Sequence, residues 1–133
     1  MRKLDWLRGL SVLVVEDNEL IRAVEVDLLR ALGCDVAATA NAEDALASLD
    51  DPRIALLITD VRLPGPFDGI ALSLTAKHRR PELRVLLVGA DLEHLPPEDL
   101  RAIADEGMRK PFTVGEFEEH LANLARHFDG APA

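Results

Sequence analysis

Three short apolar runs, Val12–Val15, Ile54–Ile58 and Val85–Val88, constrain the fold of this chain more than any other feature. Each run is continuous rather than alternating, the pattern of a strand covered on both faces, and helix-length segments separate them. Strands of that kind belong to a parallel sheet, whose crossover helices cover both sides. The intervening segments supply those helices. Residues 19–32 read as a helix with Leu20, Val24, Leu28 and Ala31 on its core face, stopped by Gly33. A weaker strand over Asp35–Thr39 leads to a helix that Asn41 caps, with Asp44 three residues on and a close at Asp50-Asp51-Pro52.

Beyond the Ile54–Thr59 strand and Asp60, Pro64, Gly65 and Pro66 impose a loop. The next helix, 68–78, carries Ile70, Ala71 and Leu74, with Lys77, His78, Arg79 and Arg80 at its negative dipole end. After the Arg84–Val88 strand and an irregular Gly89–Pro96 stretch, Pro97 opens a short helix of about nine residues. A brief strand near Met108 follows. Thr113 with Glu116 then forms a capping box for a last helix whose buried stripe is Phe117, Leu121, Leu124 and Phe128. Five alternating strand–helix units predict an α/β doubly wound sandwich: a five-stranded parallel sheet of the (βα)5 flavodoxin-like type, strand order 2-1-3-4-5. The expected division is an N-terminal arm, 1–10, one domain, 11–128, and a frayed tail, 129–133. Leu4, Trp6 and Leu7 of the arm fit either packing on the domain or contact with a partner.

The formal charge of −9 argues against a nucleic-acid or anionic-membrane surface, each of which needs a positive face. Cys34, the one cysteine, allows neither a disulfide nor a cysteine metal cluster and is expected in the core. No apolar stretch reaches the roughly 20 residues of a membrane span, and Met1–Leu10 lacks a signal-peptide core. A cytoplasmic, non-exported protein without a second domain is therefore expected. His78, His94, His120 and His127 lack metal-ligand spacing and read as surface or capping residues, with His94 the nearest to the irregular stretch.

Acidic doublets are common here: Glu43-Asp44, Asp50-Asp51, Glu98-Asp99, Asp105-Glu106 and Glu118-Glu119 read as helix ends or solvated faces. Glu16-Asp17 differs because it terminates a buried apolar strand, and Asp60 terminates another. Ligand sites of open α/β sheets lie beyond the carboxyl ends of the strands, at the point where strand order reverses. Strands one and three are neighbours in the expected order, so Glu16, Asp17 and Asp60 should emerge side by side, with Lys110 from the last strand. Carboxylates held that close repel unless a cation neutralises them, which predicts a Mg²⁺ site. A carboxylate there can act as nucleophile toward phosphorus, with the lysine as a point charge on the phosphoryl oxygens.

The strings VLVVEDN, LLITDVRLP followed by DG, and KPF make the chain resemble the receiver domain of two-component response regulators across residues 10 to 128. The resemblance implies that Asp60 is the phosphoacceptor, that Glu16, Asp17 and the Arg62 backbone carbonyl complete the Mg²⁺ site with Asp60, that Lys110 binds the phosphoryl group, and that the Lys110–Pro111 peptide bond is cis. It also implies a histidine kinase or histidine phosphotransfer protein as donor. A downstream protein target would meet the fourth helix, last strand and fifth helix. No enzyme activity is expected beyond self-phosphorylation and autodephosphorylation.

Two family features are absent. The hydroxyl residue that ends the fourth strand is Gly89 here, and the aromatic three residues before the lysine is Gly107. Losing one hydrogen bond to a charged oxygen costs roughly 1.5–3 kcal/mol, which weakens phosphorylation without abolishing it. The Gly89–Pro96 segment is expected to reorder as a whole in place of the side-chain relay. The reading is thus a stand-alone receiver, acting by protein contacts or as a phosphate sink. The alternative is a pseudo-receiver that works without phosphorylation, and a metal-dependent phosphohydrolase is the third reading.

Overall fold

The computed structural model describes residues 2–128, so the expected tail at 129–133 lies outside the described residues. Five strands, β1 (Ser11–Val15), β2 (Asp35–Thr39), β3 (Ile54–Asp60), β4 (Arg84–Gly89) and β5 (Glu106–Arg109), form one parallel sheet in the order β2-β1-β3-β4-β5. The helices are α1 (Glu19–Ala31), α2 (Ala42–Ser48), α3 (Gly69–Arg79), α4 (Pro97–Ile103) and α5 (Val114–Leu124). The doubly wound fold predicted from the apolar runs is the observed one.

Alternation along each strand splits the core in two. Val12 and Val14 of β1, with Leu56 and Ile58 of β3, face α1 and α5, where Val26, Leu29, Phe117, Leu121 and Leu124 meet them. Leu13, Val15 and Leu57 point the other way, toward Ala45, Leu72 and Ile103 of α2, α3 and α4. Each fully buried leucine in these layers contributes about 1.5–3 kcal/mol. No described helix is long and apolar enough to cross a membrane.

Four local expectations change. In α1 the core face is not the Leu20/Val24 stripe: both are exposed, at 79% and 50%, while Glu25, Val26 and Leu29 are buried. The buried face lies roughly 150° around the helix from the predicted stripe, so α1 turns nearly its opposite side, with Val26 and Leu29, to the sheet. In α3, likewise, Leu74 is exposed and Gly69, Leu72, Ser73 and Ala76 go in. The fourth helix spans seven residues, shorter than expected. The last helix stops at Leu124, and Phe128, beyond a 3₁₀ turn, stacks on Trp6 with ring centroids 4.7 Å apart.

That stacking, with Leu4 and Leu7 buried to 2% and 0%, decides between the two roles of the N-terminal segment: Arg2–Leu7 is a 3₁₀ helix packed into the core beside α5. Cys34 is buried and its thiol donates to the Leu7 carbonyl, and burial pushes it up to about 11. His120 and His127 are half-buried. His120 Nδ1 lies 2.6 Å from Glu106 Oε2, and the Nε2 of His127 is buried without a hydrogen-bond partner among the described residues.

The capping box of α5 forms as expected: Glu116 N donates to Thr113 Oγ1 at 3.0 Å and Thr113 N donates to Glu116 Oε1 at 2.9 Å. Thr113→Ala removes one side of it and should lower unfolding stability by about 1 kcal/mol, read as a lower urea midpoint at unchanged slope.

Candidate functional site

Register brings the site together. Val15 of β1 is level with Thr59 of β3, so the next residues, Glu16 and Asp60, leave the sheet as neighbours. Asp60 is in turn level with Val88, and Lys110 N donates to the Gly89 carbonyl, which sets the lysine at the same sheet edge. The Lys110–Pro111 bond is cis, as the resemblance implied. Residues 94 positions apart thus meet: Lys110 Nζ donates to Glu16 Oε1 at 2.6 Å and to Asp60 Oδ2 at 2.9 Å.

Glu16, Asp17 and Asp60 each present a carboxylate oxygen, all within 4.8 Å of one another. Their surroundings differ. Glu16 is 1% exposed and its second oxygen, Oε2, accepts from Asn18 N at 3.0 Å, so both of its oxygens have donors. Asp60 is 8% exposed, and Asp17 is open to solvent. Glu16 thereby brackets Lys110, while Asp17 and Asp60 face the cleft with fewer commitments.

Charge at this spot is out of balance. Burial pushes the Glu16 carboxyl above its usual range, the hydrogen bond from Lys110 draws it back only in part, and the Asp60 charge adds to the rise. Burial pulls Lys110 down, yet its hydrogen bonds to Glu16 and Asp60 outweigh that and hold the ammonium above its ordinary value. Three carboxylates share one ammonium, a deficit that a divalent cation removes. An all-oxygen donor set of this kind suits a hard cation that keeps several waters, so the residues present fit Mg²⁺.

The glycine of the Asp68-Gly69 pair has a steric reason. A Cβ at Gly69 would stand 1.8 Å from the Asp60 carbonyl oxygen, and its N–H donates to the Val61 carbonyl at 2.7 Å. Only glycine lets α3 start this close to the strand that ends in Asp60.

Sequence reading identified the two missing switch side chains but not what takes their place. A Cβ at Gly89 would come within 2.7 Å of Val61 Cγ2, and one at Gly107 within 3.2 Å of Leu100 Cδ2 and 3.3 Å of Leu92 Cδ1. Val61 therefore crowds the Cβ position at Gly89, and Leu92 and Leu100 close tightly on that of Gly107. The Gly89–Pro96 segment is ordered around this packing: Leu92–His94 forms a 3₁₀ turn with Leu92 buried. His94 is exposed and contacts neither Asp60 nor Lys110 by hydrogen bond.

Arg62 was expected to contribute its backbone carbonyl. The guanidinium is 83% exposed but not free: it donates to Asp91 Oδ2 at 2.6 Å. Another residue that sequence reading passed over is Glu25 of α1, buried at 2% and close enough to Glu16, Asp60 and Lys110 to feel their charges. An acid in the middle of an amphipathic helix gives no sequence signal of that kind.

The sequence profile of the response regulator receiver domain matches residues 12–122. Sensor protein TorS of Escherichia coli (strain K12) is 33% identical over 123 residues, which are 92% of this chain and 13% of TorS. Transcriptional regulatory protein AruR of Pseudomonas aeruginosa is 32% identical over 127 residues, 92% of this chain and 52% of AruR. The chain thus spans about half of one curated relative and a small part of the other. Among solved structures, the receiver domain of sensor histidine kinase PA1611 from Pseudomonas aeruginosa PAO1 is 27% identical, with a TM-score of 0.74 over 85% of this chain and 94% of that one. That structure has a magnesium ion coordinated in the active site cleft.

Proposed function

The chain belongs to the response regulator receiver domain family, and on that premise we propose that it takes one phosphoryl group onto Asp60 from a phosphohistidine of a histidine kinase or phosphotransfer protein. The single observation that most supports this is Lys110 held between Glu16 and Asp60 beside three converging carboxylates. Asp17, Asp60 and the Arg62 carbonyl would hold Mg²⁺, with Glu16 completing the acidic set. When bound, the cation neutralises charge on the transferring phosphoryl oxygens.

The chain's own residues do the rest. Lys110 engages Oδ2 of Asp60, which leaves Oδ1 as the nucleophilic oxygen. That oxygen forms a bond to phosphorus as the P–N bond of the donor breaks, and the electron pair returns to the imidazole nitrogen. Lys110, positioned by Glu16, then follows the new charge and donates to a phosphoryl oxygen. Near-complete burial of Asp60 limits water's access to the acyl phosphate.

On this reading the protein works in the cytoplasm, where it either contacts a downstream protein through α4, β5 and α5 or drains phosphoryl groups from a shared kinase. The filled positions at Gly89 and Gly107 favour a second reading, a pseudo-receiver that binds partners without being phosphorylated. Intact mass decides between them. Incubation with acetyl phosphate and Mg²⁺ should add one phosphoryl group, and a chelator should prevent it. Mg²⁺ at a hundredfold excess over its Kd should also stabilise the fold by about 2.7 kcal/mol. No mass gain together with no Mg²⁺-induced rise in Tm would leave the pseudo-receiver.

A further inference from the structure

The site lacks both side chains that commonly report phosphorylation, yet one charged residue does connect the loop after Asp60 to the segment after β4. Arg62 stands two positions beyond Asp60, and its guanidinium donates to Asp91, two positions beyond Gly89. The pair borders a cleft of about 520 Å³ whose lining includes Val61, Leu63, Leu92 and Leu95. Asp91 occupies the N-cap position of the Leu92–His94 turn, but its side chain caps nothing there and is committed to Arg62 instead. The negative charge of Asp60 already reaches the guanidinium.

From this arrangement we infer that Arg62 is the phosphoryl-sensing residue of the protein, exchanging Asp91 for the phosphoryl group on Asp60 and so releasing the Gly89–Pro96 segment. The inference rests on the phosphoryl-accepting reading of Asp60 and adds how that event is reported. Charge decides the direction of exchange. A phosphoryl group carries more negative charge than one carboxylate and offers oxygens that match the planar guanidinium fork, whereas an exposed ion pair contributes little by itself. Arg62 is exposed enough to swing between the two anions without repacking the core. Gly89 makes the motion easier to transmit, since no side chain ties the end of β4 to the phosphoryl group directly. Once released, the Asp91 carboxylate is free to cap its own turn, which gives the segment a second arrangement to occupy. Losing the shared tie while gaining only a local cap should shift the opening equilibrium of the segment by about two- to threefold, the scale of an exposed ion pair.

Amide hydrogen exchange over residues 89–96, with and without acetyl phosphate and Mg²⁺, tests the exchange of partners. In the wild type, phosphorylation should raise exchange there by about two- to threefold. Asp91→Asn should show the raised exchange before phosphorylation, take up the phosphoryl group as judged by intact mass, and rise no further. Arg62→Gln should match Asp91→Asn before phosphorylation, and the double variant should exceed neither. Uptake of the phosphoryl group by the wild type with unchanged exchange over 89–96 would overturn the latch and leave the function standing. Wild-type exchange levels in unphosphorylated Asp91→Asn would overturn it as well. No uptake at all would overturn the function and the latch together.

Discussion

Asp60→Asn should give a folded protein that gains no phosphoryl mass from acetyl phosphate under conditions in which the wild type gains one group. An amide has no anionic oxygen to attack phosphorus, so the loss is complete rather than partial. Folding should survive because the change is isosteric and removes a charge that repels Glu16. Against that gain stands the lost ion pair with Lys110, whose ammonium keeps its 2.6 Å contact to Glu16. The two effects oppose each other, and the unfolding midpoint should move by no more than about 1 kcal/mol equivalent. Affinity for Mg²⁺ should fall as well, since one of three converging carboxylates is neutralised. The Mg²⁺-dependent rise in Tm is therefore smaller in the variant than in the wild type. A phosphoryl group still found on Asp60→Asn, mapped to Asp17 or elsewhere, would remove Asp60 from the centre of the mechanism.

The sheet was readable because burial on both faces leaves no freedom in composition. Val12–Val15 and Val85–Val88 admit no polar residue, and the acids that follow the β1 run and end β3, Glu16 and Asp60, then mark the sheet edge. Glu16, Asp17, Asp60 and Lys110 could be placed for that reason, although 94 positions separate the first from the last. Helix faces were less readable. Leu20 and Val24 on one side of α1 match Leu29 and Val26 on the other in residue type, so nothing local says which side meets the sheet. The choice is made by β1, β2 and α5 together, through the seats they offer Val26 and Leu29. Steric complements are hidden in the same way: Gly89 and Gly107 look like losses until Val61, Leu92 and Leu100 are seen to fill their places. The Arg62–Asp91 pair links two loops whose conformations the sequence does not specify.

Glu25 has a second large consequence, for stability against pH. It is only 2% exposed and no hydrogen bond to its carboxyl is found among the described residues; burial, with Glu16's charge adding to it, pushes the group up to about 8 from an ordinary 4.5. The unfolded chain gives up this proton near 4.5, whereas the folded chain keeps it until about 8. Between those values the folded state binds more protons than the unfolded one, so stability falls as pH rises. Each pH unit in that window costs about 1.4 kcal/mol, and the whole window about 3–5 kcal/mol. Below the window the group contributes no penalty; above it the penalty is full, because a buried and unpaired carboxylate must then be ionised. Urea unfolding in the presence of a chelator, compared at pH 5 and pH 8, should show this loss in the wild type. Glu25→Gln should remove most of the pH dependence, and Glu25→Leu should do the same while also filling the site with apolar volume. Taking the difference between wild type and variant cancels the contributions that the two proteins share. Equal pH slopes in wild type and Glu25→Gln would mean that the Glu25 carboxyl is already ionised in the folded protein at neutral pH. The negative charge beside Lys110 would then be larger than the three converging carboxylates supply, and α1 would be contributing to the cation site from behind.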